Sequence, residues 1–129
     1  MTQKDEPLVA GRLHDKTLIL QIQSAQIQDP ETSEKLGREM IAMADANDVH
    51  HFVIDFSKVQ FMGSIGFLAL MRFRRHLKDS NIILCGLNPT LQEVFQVCKL
   101  ISSDPSIQLM FIAVDTVEQA QNLIKIRPM

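Results

Sequence analysis

The chain has 129 residues, a formal net charge of −2 and a hydrophobic fraction of 46%. This length suits one domain, which can bury well over half of its unfolded surface without a metal or a disulfide. The near-neutral charge and the absence of Trp and Tyr argue against direct nucleic-acid binding, because that needs a basic face and is often helped by aromatic stacking.

Cysteine usage and the N-terminus indicate a cytoplasmic protein. Cys85 and Cys98 form no CxxC motif, and two thiols do not make a disulfide framework. The first residues, MTQKDEPLVAG, have no apolar core of a secretory signal, and no apolar run approaches the ~20 residues that span a bilayer. We expect a single domain over 1–129, with a flexible tail at 1–6 and no membrane span.

The first elements are a hairpin and a helix. The runs 8–13 and 17–23 are separated by only three polar residues, and the second alternates between apolar and more polar positions, which favours an antiparallel pair. Asp29 can then cap a helix that reaches about Ala46, with Pro30 at its first position.

The rest of the chain alternates between apolar runs of strand length and helical patterns. The predicted strands are 51–56, 82–87 and 107–114, and the predicted helices are 64–78, 88–99 and one that begins at Asp115, which with Glu118 resembles a capping box. Continuous apolar strands between helices are typical of parallel strands buried on both faces. The order β-β-α-β-α-β-α-β-α predicts an α/β domain with a mixed, mostly parallel sheet.

Motifs for enzymatic chemistry are mostly missing. The four histidines lie outside HExxH spacing, and no phosphate loop is present. The segment around Ser64 departs from the GxSxG nucleophile elbow, because Met62 replaces the first glycine and no acid–base partner is evident. We expect no enzymatic activity, no cofactor and no metal. A small-ligand or hydrolytic site at the turn 63–66 is the alternative.

The predicted helix 64–78 has two apolar stripes. One consists of Gly66, Ala69, Leu70, Phe73 and Leu77, and the other side carries Ser64, Leu68, Met71 and Arg75, with Phe67 beside them. If the second stripe faces water, its apolar members form a contact surface. The alternative is a helix that is buried on more than one side.

Ser64 lies at the start of this helix, where a serine is a common N-cap. A phosphate on Ser64 would be favoured by free amides and by the helix dipole. It would also place about −1.5 to −2 charges beside an apolar contact surface. These are the physical requirements of a switch.

The segment 53–67, VIDFSKVQFMGSIGF, resembles the signature of the STAS family, the anti-sigma-factor antagonists. That signature reads roughly apolar-apolar-Asp-Leu-Ser-x-Val, an apolar pair, then Asp-Ser-x-Gly-Leu. The segments 82–87, 88–95 and 115–120 resemble the elements that follow it in the family, so the resemblance covers essentially the whole chain.

The resemblance implies a regulatory binding protein. In such families the unphosphorylated antagonist binds an anti-sigma factor that is also a serine kinase, which frees the sigma factor. The kinase phosphorylates the motif serine, here Ser64, and a phosphatase reverses the step. The predicted partner-binding residues are Asp55, Phe61, Gly63, Ser64, Phe67, Leu68, Met71 and Arg75. We expect a monomer or a weak dimer.

One position departs from the family pattern. Gly63 stands where the family commonly has Asp immediately before the serine, so a carboxylate at the helix start is lost. This departure motivates the alternative of a constitutive STAS interaction module, in a signalling scaffold or a lipid-transport complex, without a serine phosphorylation cycle.

Overall fold

The computed structural model of the chain describes residues 6–98, 101–102 and 111–126. Of the predicted N-terminal tail only Glu6 is described. Residues 107–110 of the last predicted strand and Lys99 at the end of a predicted helix also lie outside the described residues.

The described elements follow the predicted alternation of strands and helices. The strands are β1 (Val9–His14), β2 (Thr17–Ile22), β3 (Gln26–Ile27), β4 (His51–Asp55), β5 (Phe61–Met62), β6 (Asn81–Cys85), β7 (Ile101–Ser102) and β8 (Phe111–Val114). The helices are α1 (Pro30–Asp45), α2 (Phe67–His76), α3 (Pro89–Val97) and α4 (Val117–Ile126), and a short 3-10 helix, Ser64–Gly66, precedes α2.

The main sheet is mixed and mostly parallel, as predicted. In the described part of the chain its strand order is β1-β2-β4-β6-β8-β7. Among the described strands only β1 and β2 pair antiparallel, and their turn uses Asp15 and Lys16 at φ of 50° and 66°. Positive φ at both turn residues is typical of the tight hairpin turns that match strand twist.

Both faces of the central strands are covered, which accounts for their continuous apolar sequences. On one face Phe52, Ile54 and Leu84 pack in the cluster that includes buried residues of α1, α2 and α3. On the other face Val53 and Ile83 belong to a smaller cluster with residues of α4. The sheet is therefore the middle layer, and the three helices α1, α2 and α3 share one side of it.

Helix α1 begins as predicted. The Asp29 carboxylate accepts hydrogen bonds from the Thr32 amide at 2.9 Å and from the Thr32 hydroxyl at 2.7 Å. These hydrogen bonds, the one from the hydroxyl foremost, lower the pKa of Asp29.

The capping box of α4 lies one residue later in the structure than the sequence pattern predicted. The Thr116 hydroxyl accepts from the Gln119 amide at 3.1 Å, and the Gln119 side-chain oxygen accepts from the Thr116 amide at 3.3 Å. Asp115 and Glu118 do not form this pair. A threonine cap with a glutamine at the third helical position satisfies the same amides as an acidic pair.

No described helix is long and apolar enough to cross a membrane.

Candidate functional site

A small ribbon that the sequence did not predict positions the segment around Ser64. Strands β3 and β5 pair in parallel, with Gln26 opposite Phe61 and Ile27 opposite Met62. The Gly63 amide extends the ribbon by donating to the Ile27 carbonyl at 2.9 Å. The side-chain amide of Asn88, at the start of α3, donates to the Gln60 carbonyl at 3.0 Å. The chain therefore enters the Ser64 turn from a tethered strand.

The turn itself is the 3-10 helix Ser64–Gly66, and it is fixed from two sides. The buried Ser33 hydroxyl of α1 donates to the Ile65 carbonyl at 2.7 Å. A Cβ on Gly66 would lie 2.6 Å from Met62 Cγ and 3.1 Å from the Ile27 carbonyl oxygen, so only glycine fits without a shift. No sequence pattern points to Ser33, because its role depends on the packing of α1 against this turn.

Ser64 is exposed and is not the N-cap. That position belongs to Gly63, at φ −76° and ψ 172°, and Ser64 is the first residue of the 3-10 helix. Within the described residues the Ser64 hydroxyl makes no hydrogen bond. No intramolecular hydrogen bond therefore has to break before the hydroxyl can be phosphorylated. The Ser64 and Ile65 amides are the first two of the helix and have no backbone acceptor among the described residues.

The apolar surface beside Ser64 differs from the predicted one. Leu68 is 45% exposed and Phe61 is 47% exposed. Phe67 and Met71 are half-buried and pack on the core, and the Phe67 ring lies edge-to-face on Phe95 of α3 at 4.9 Å between centroids. Phe67, Leu68 and Met71 therefore do not face water together, and the structure agrees with the alternative of a helix that is buried on more than one side. We call the exposed set of Phe61, Ser64 and Leu68 the Ser64 face.

Glycine at position 63 is not required by the backbone. Its φ is negative, and an added Cβ would meet Gln28 at 3.6 Å and the Phe61 ring at 3.8 Å, which are ordinary contacts. The position can accept the carboxylate that the family commonly has there. The conformational freedom of glycine therefore does not explain why Gly63 stands where the family commonly has Asp.

Asp55 has an internal role in the structure. It is buried at the end of β4, and its carboxylate accepts from Gln21 Nε2 at 3.1 Å and from the Ser57 amide at 2.9 Å. Burial, together with the nearby Asp55 charge, raises the pKa of the adjacent Cys85 thiol to about 12. Gly86 adopts φ +75°, and a Cβ there would lie 2.8 Å from the Asp55 Oδ1. Asp55 thus orders the loop that leads from β4 towards β5.

A groove of about 240 Å³ lies between the first turns of α1 and α2, next to Ser64. Its lining residues are Pro30, Glu31, Ser33, Glu34, Ile65, Leu68 and Arg72. Arg75, another predicted partner-binding residue, is exposed further along α2. Among the described residues, no group of three or more His, Cys, Asp or Glu could hold a metal ion.

Comparisons with known proteins identify the same family as the sequence motif. The family model described as the STAS domain matches residues 12–117. An anti-sigma factor antagonist from Mycobacterium paratuberculosis superposes with a TM-score of 0.71 at 20% identity, over 91% of this chain and 92% of that one. The unphosphorylated anti-sigma factor antagonist SpoIIAA gives 0.62 at 17% identity, over 94% and 99%. The phosphorylated Bacillus cell fate determinant SpoIIAA gives 0.62 at 18% identity, over 90% and 98%.

Proposed function

The chain belongs to the STAS domain family, and from this premise we propose that it is an anti-sigma factor antagonist controlled by phosphorylation of Ser64. The unphosphorylated chain binds an anti-sigma factor that is also a serine kinase. That binding releases a sigma factor and so regulates transcription. The structural neighbours include SpoIIAA in both phosphorylation states, which supports a serine switch on this fold.

The observation that carries the proposal is the state of the Ser64 hydroxyl. It is exposed at the start of a 3-10 helix, makes no hydrogen bond within the described residues, and is flanked by the exposed Phe61 and Leu68. A kinase can reach such a hydroxyl without unfolding the turn. A partner that covers the flanking apolar side chains would also cover Ser64.

A phosphate at this position acts on the surface rather than on the fold. The unpaired Ser64 and Ile65 amides and the positive end of the helix stabilise the added charge of about −1.5 to −2. The ribbon and the Ser33 hydrogen bond hold the turn in place in either state. The phosphate would therefore oppose a partner by charge and by desolvation, while the domain stays folded.

The proposed cycle also involves a phosphatase and a contact centred on Ser64. A phosphatase returns the chain to its binding state, and the chain itself performs no catalysis. It acts in the cytoplasm as a monomer or a weak dimer. The partner covers the Ser64 face, with Gly63, Phe67, Met71 and Arg75 at or near the contact, while Asp55 contributes by ordering the loop beneath it.

The test is phosphorylation by an anti-sigma factor of the same organism that is also a serine kinase. Incubation with that kinase and ATP should add the mass of one phosphate to the intact chain, and Ser64→Ala should abolish the shift. Ser57→Ala is the matched control, because Ser57 is also exposed and lies on the preceding loop. An unchanged mass, with a kinase that is active on another substrate, would contradict the proposal.

Gly63 favours a second candidate function. Without the carboxylate that commonly precedes the serine, the chain could act as a constitutive interaction module in a signalling or lipid-transport assembly. This candidate predicts a stable complex whose affinity is unchanged by Ser64→Asp. A large loss of affinity in that variant would remove it.

A further inference from the structure

Helix α2 carries four basic residues, and two of them are engaged by other parts of the chain. The Arg74 guanidinium donates to the Leu77 carbonyl at 2.8 Å and to the Ser80 carbonyl at 2.7 Å. His76 Nε2 lies 2.8 Å from the Asp45 carboxylate. These two side chains therefore serve the end of the helix and its contact with α1.

The other two basic residues, Arg72 and Arg75, are exposed and form no ion pair or hydrogen bond within the described residues. At about 100° per residue both lie within about 40° of Leu68 around the helix axis. Because they are three positions apart on a helix, their like charges repel each other. The Ser64 face is thus continued along α2 by two guanidinium groups that have no counter-charge in the described part of the chain.

The acidic residues on the other wall of the groove do not pair with these arginines. Arg72 lines the groove together with Glu31 and Glu34 of α1, but no ion pair joins it to either carboxylate. Glu34 pairs instead with Arg38 of its own helix at 3.1 Å. The Asp29 carboxylate is bound to the first turn of α1. Negative charge therefore stays on the α1 wall, while α2, which has no acidic residue, presents positive charge.

The direction of the proposed switch points to a partner of the opposite charge. A phosphate adds about −1.5 to −2 charges at Ser64, which would attract a basic partner surface and repel an acidic one. The proposed function requires weaker binding after phosphorylation. A basic surface beside Ser64 would give the opposite response, whereas an acidic surface gives the required one and also supplies the missing counter-charge of the arginines.

Building on the proposed function, we infer that the anti-sigma factor kinase covers α2 with an acidic segment. Its carboxylates pair with Arg72 and Arg75, and its apolar side chains cover Leu68. Guanidinium groups suit this contact, because they can bind a carboxylate through two parallel hydrogen bonds. Binding relieves the repulsion between the two arginines, and partners without acidic residues at this position are disfavoured.

The test is isothermal titration calorimetry with the kinase that phosphorylates Ser64, loaded with ADP so that no phosphate is transferred. Arg72→Glu and Arg75→Glu should each raise the Kd about tenfold or more, because an attractive contact becomes repulsive. Arg12→Glu is the matched control at about 0.15 M salt, where distant charges are screened. It makes the same change at an exposed site on β1, an outermost strand of the described sheet, and should leave the Kd unchanged.

Two further measurements separate charge from folding. Arg72→Gln and Arg75→Gln should weaken binding less than the charge reversals, an order that a folding defect would not produce. Raising the salt concentration from about 0.05 to 0.5 M should weaken binding of the wild type far more than binding of the variant with both arginines replaced by Gln.

The possible results distinguish this inference from the proposed function. If phosphorylation of Ser64 weakens binding but both charge reversals bind as tightly as the wild type, the proposed function stands and the acidic contact is refuted. Tighter binding of the charge reversals would indicate a basic partner surface and would also overturn the inference. A kinase that does not bind the chain would overturn the proposed function and this inference with it.

Discussion

Replacing Gly66 by alanine should destabilise the domain, although alanine is the better helix former. The new Cβ would lie 2.6 Å from Met62 Cγ, 3.0 Å from Ile27 Cγ2 and 3.1 Å from the Ile27 carbonyl oxygen. The Met62 side chain can rotate away, but the Ile27 carbonyl accepts the Gly63 amide and cannot move without disturbing the ribbon. Overpacking of this kind lowers the free energy of unfolding by about 1–3 kcal/mol. The higher helix propensity of alanine offsets about 0.5–1 kcal/mol of this loss. We expect a net loss of about 0.5–2 kcal/mol.

Gly37→Ala is the matched control, because Gly37 is also buried and helical. Its Cβ would meet Ala69 at 3.6 Å, an ordinary contact, so this variant should gain up to about 0.5–1 kcal/mol. Urea denaturation followed by far-ultraviolet circular dichroism measures both, since the chain has no Trp for fluorescence. If Gly66→Ala is as stable as Gly37→Ala, the close packing of the turn on the ribbon is refuted.

Three further predictions concern groups around the site and the core. Ser33→Ala should lower the free energy of unfolding by about 1–2 kcal/mol in urea titrations, because the Ile65 carbonyl loses its buried donor. The hydrogen bonds that cap α1 lower the pKa of Asp29 below its usual value of 3.8. The stabilisation by the Asp29 carboxylate is therefore present above pH 3.8 and is lost as the pH falls through the pKa of the folded state. Asp29→Asn should lack this loss of stability in urea titrations at acidic pH. A thiol reagent at mildly alkaline pH should label Cys98 and spare Cys85, whose pKa burial raises to about 12, until denaturant exposes the second thiol.

The elements that the sequence predicted well are those with long patterns. The hairpin and the helix that begins after Asp29 span enough residues to show their periods, and the strands His51–Asp55 and Asn81–Cys85 stand out as continuous apolar runs. The burial of the strands His51–Asp55 and Asn81–Cys85 on both faces also follows from their continuous apolar sequences. The mixed, mostly parallel sheet was predictable for this reason.

The β3–β5 ribbon could not be predicted, because each strand has only two residues. No periodicity exists over two positions, and the pairing joins segments more than thirty residues apart. The ribbon is nevertheless what positions Ser64. The same limit applies to β7, which has two residues as well.

The helical wheel predicted the buried side of α2 better than its outer side. Ala69, Leu70 and Phe73 are buried as expected. A helical wheel assumes that only one side of a helix packs against the rest of the protein. Helix α2 packs against the sheet and against α1, and it also contacts α3 through Phe67 and Phe95. Which outer residues stay exposed depends on these neighbours.

In the proposed switch, a phosphate on Ser64 prevents partner binding. The most direct measurement uses isothermal titration calorimetry with the anti-sigma factor kinase that phosphorylates Ser64. It compares the affinity of that kinase for the unphosphorylated chain and for the same chain phosphorylated at Ser64. We expect phosphorylation to weaken binding by at least about tenfold, which corresponds to about 1.4 kcal/mol. Equal affinities for the two forms would contradict it.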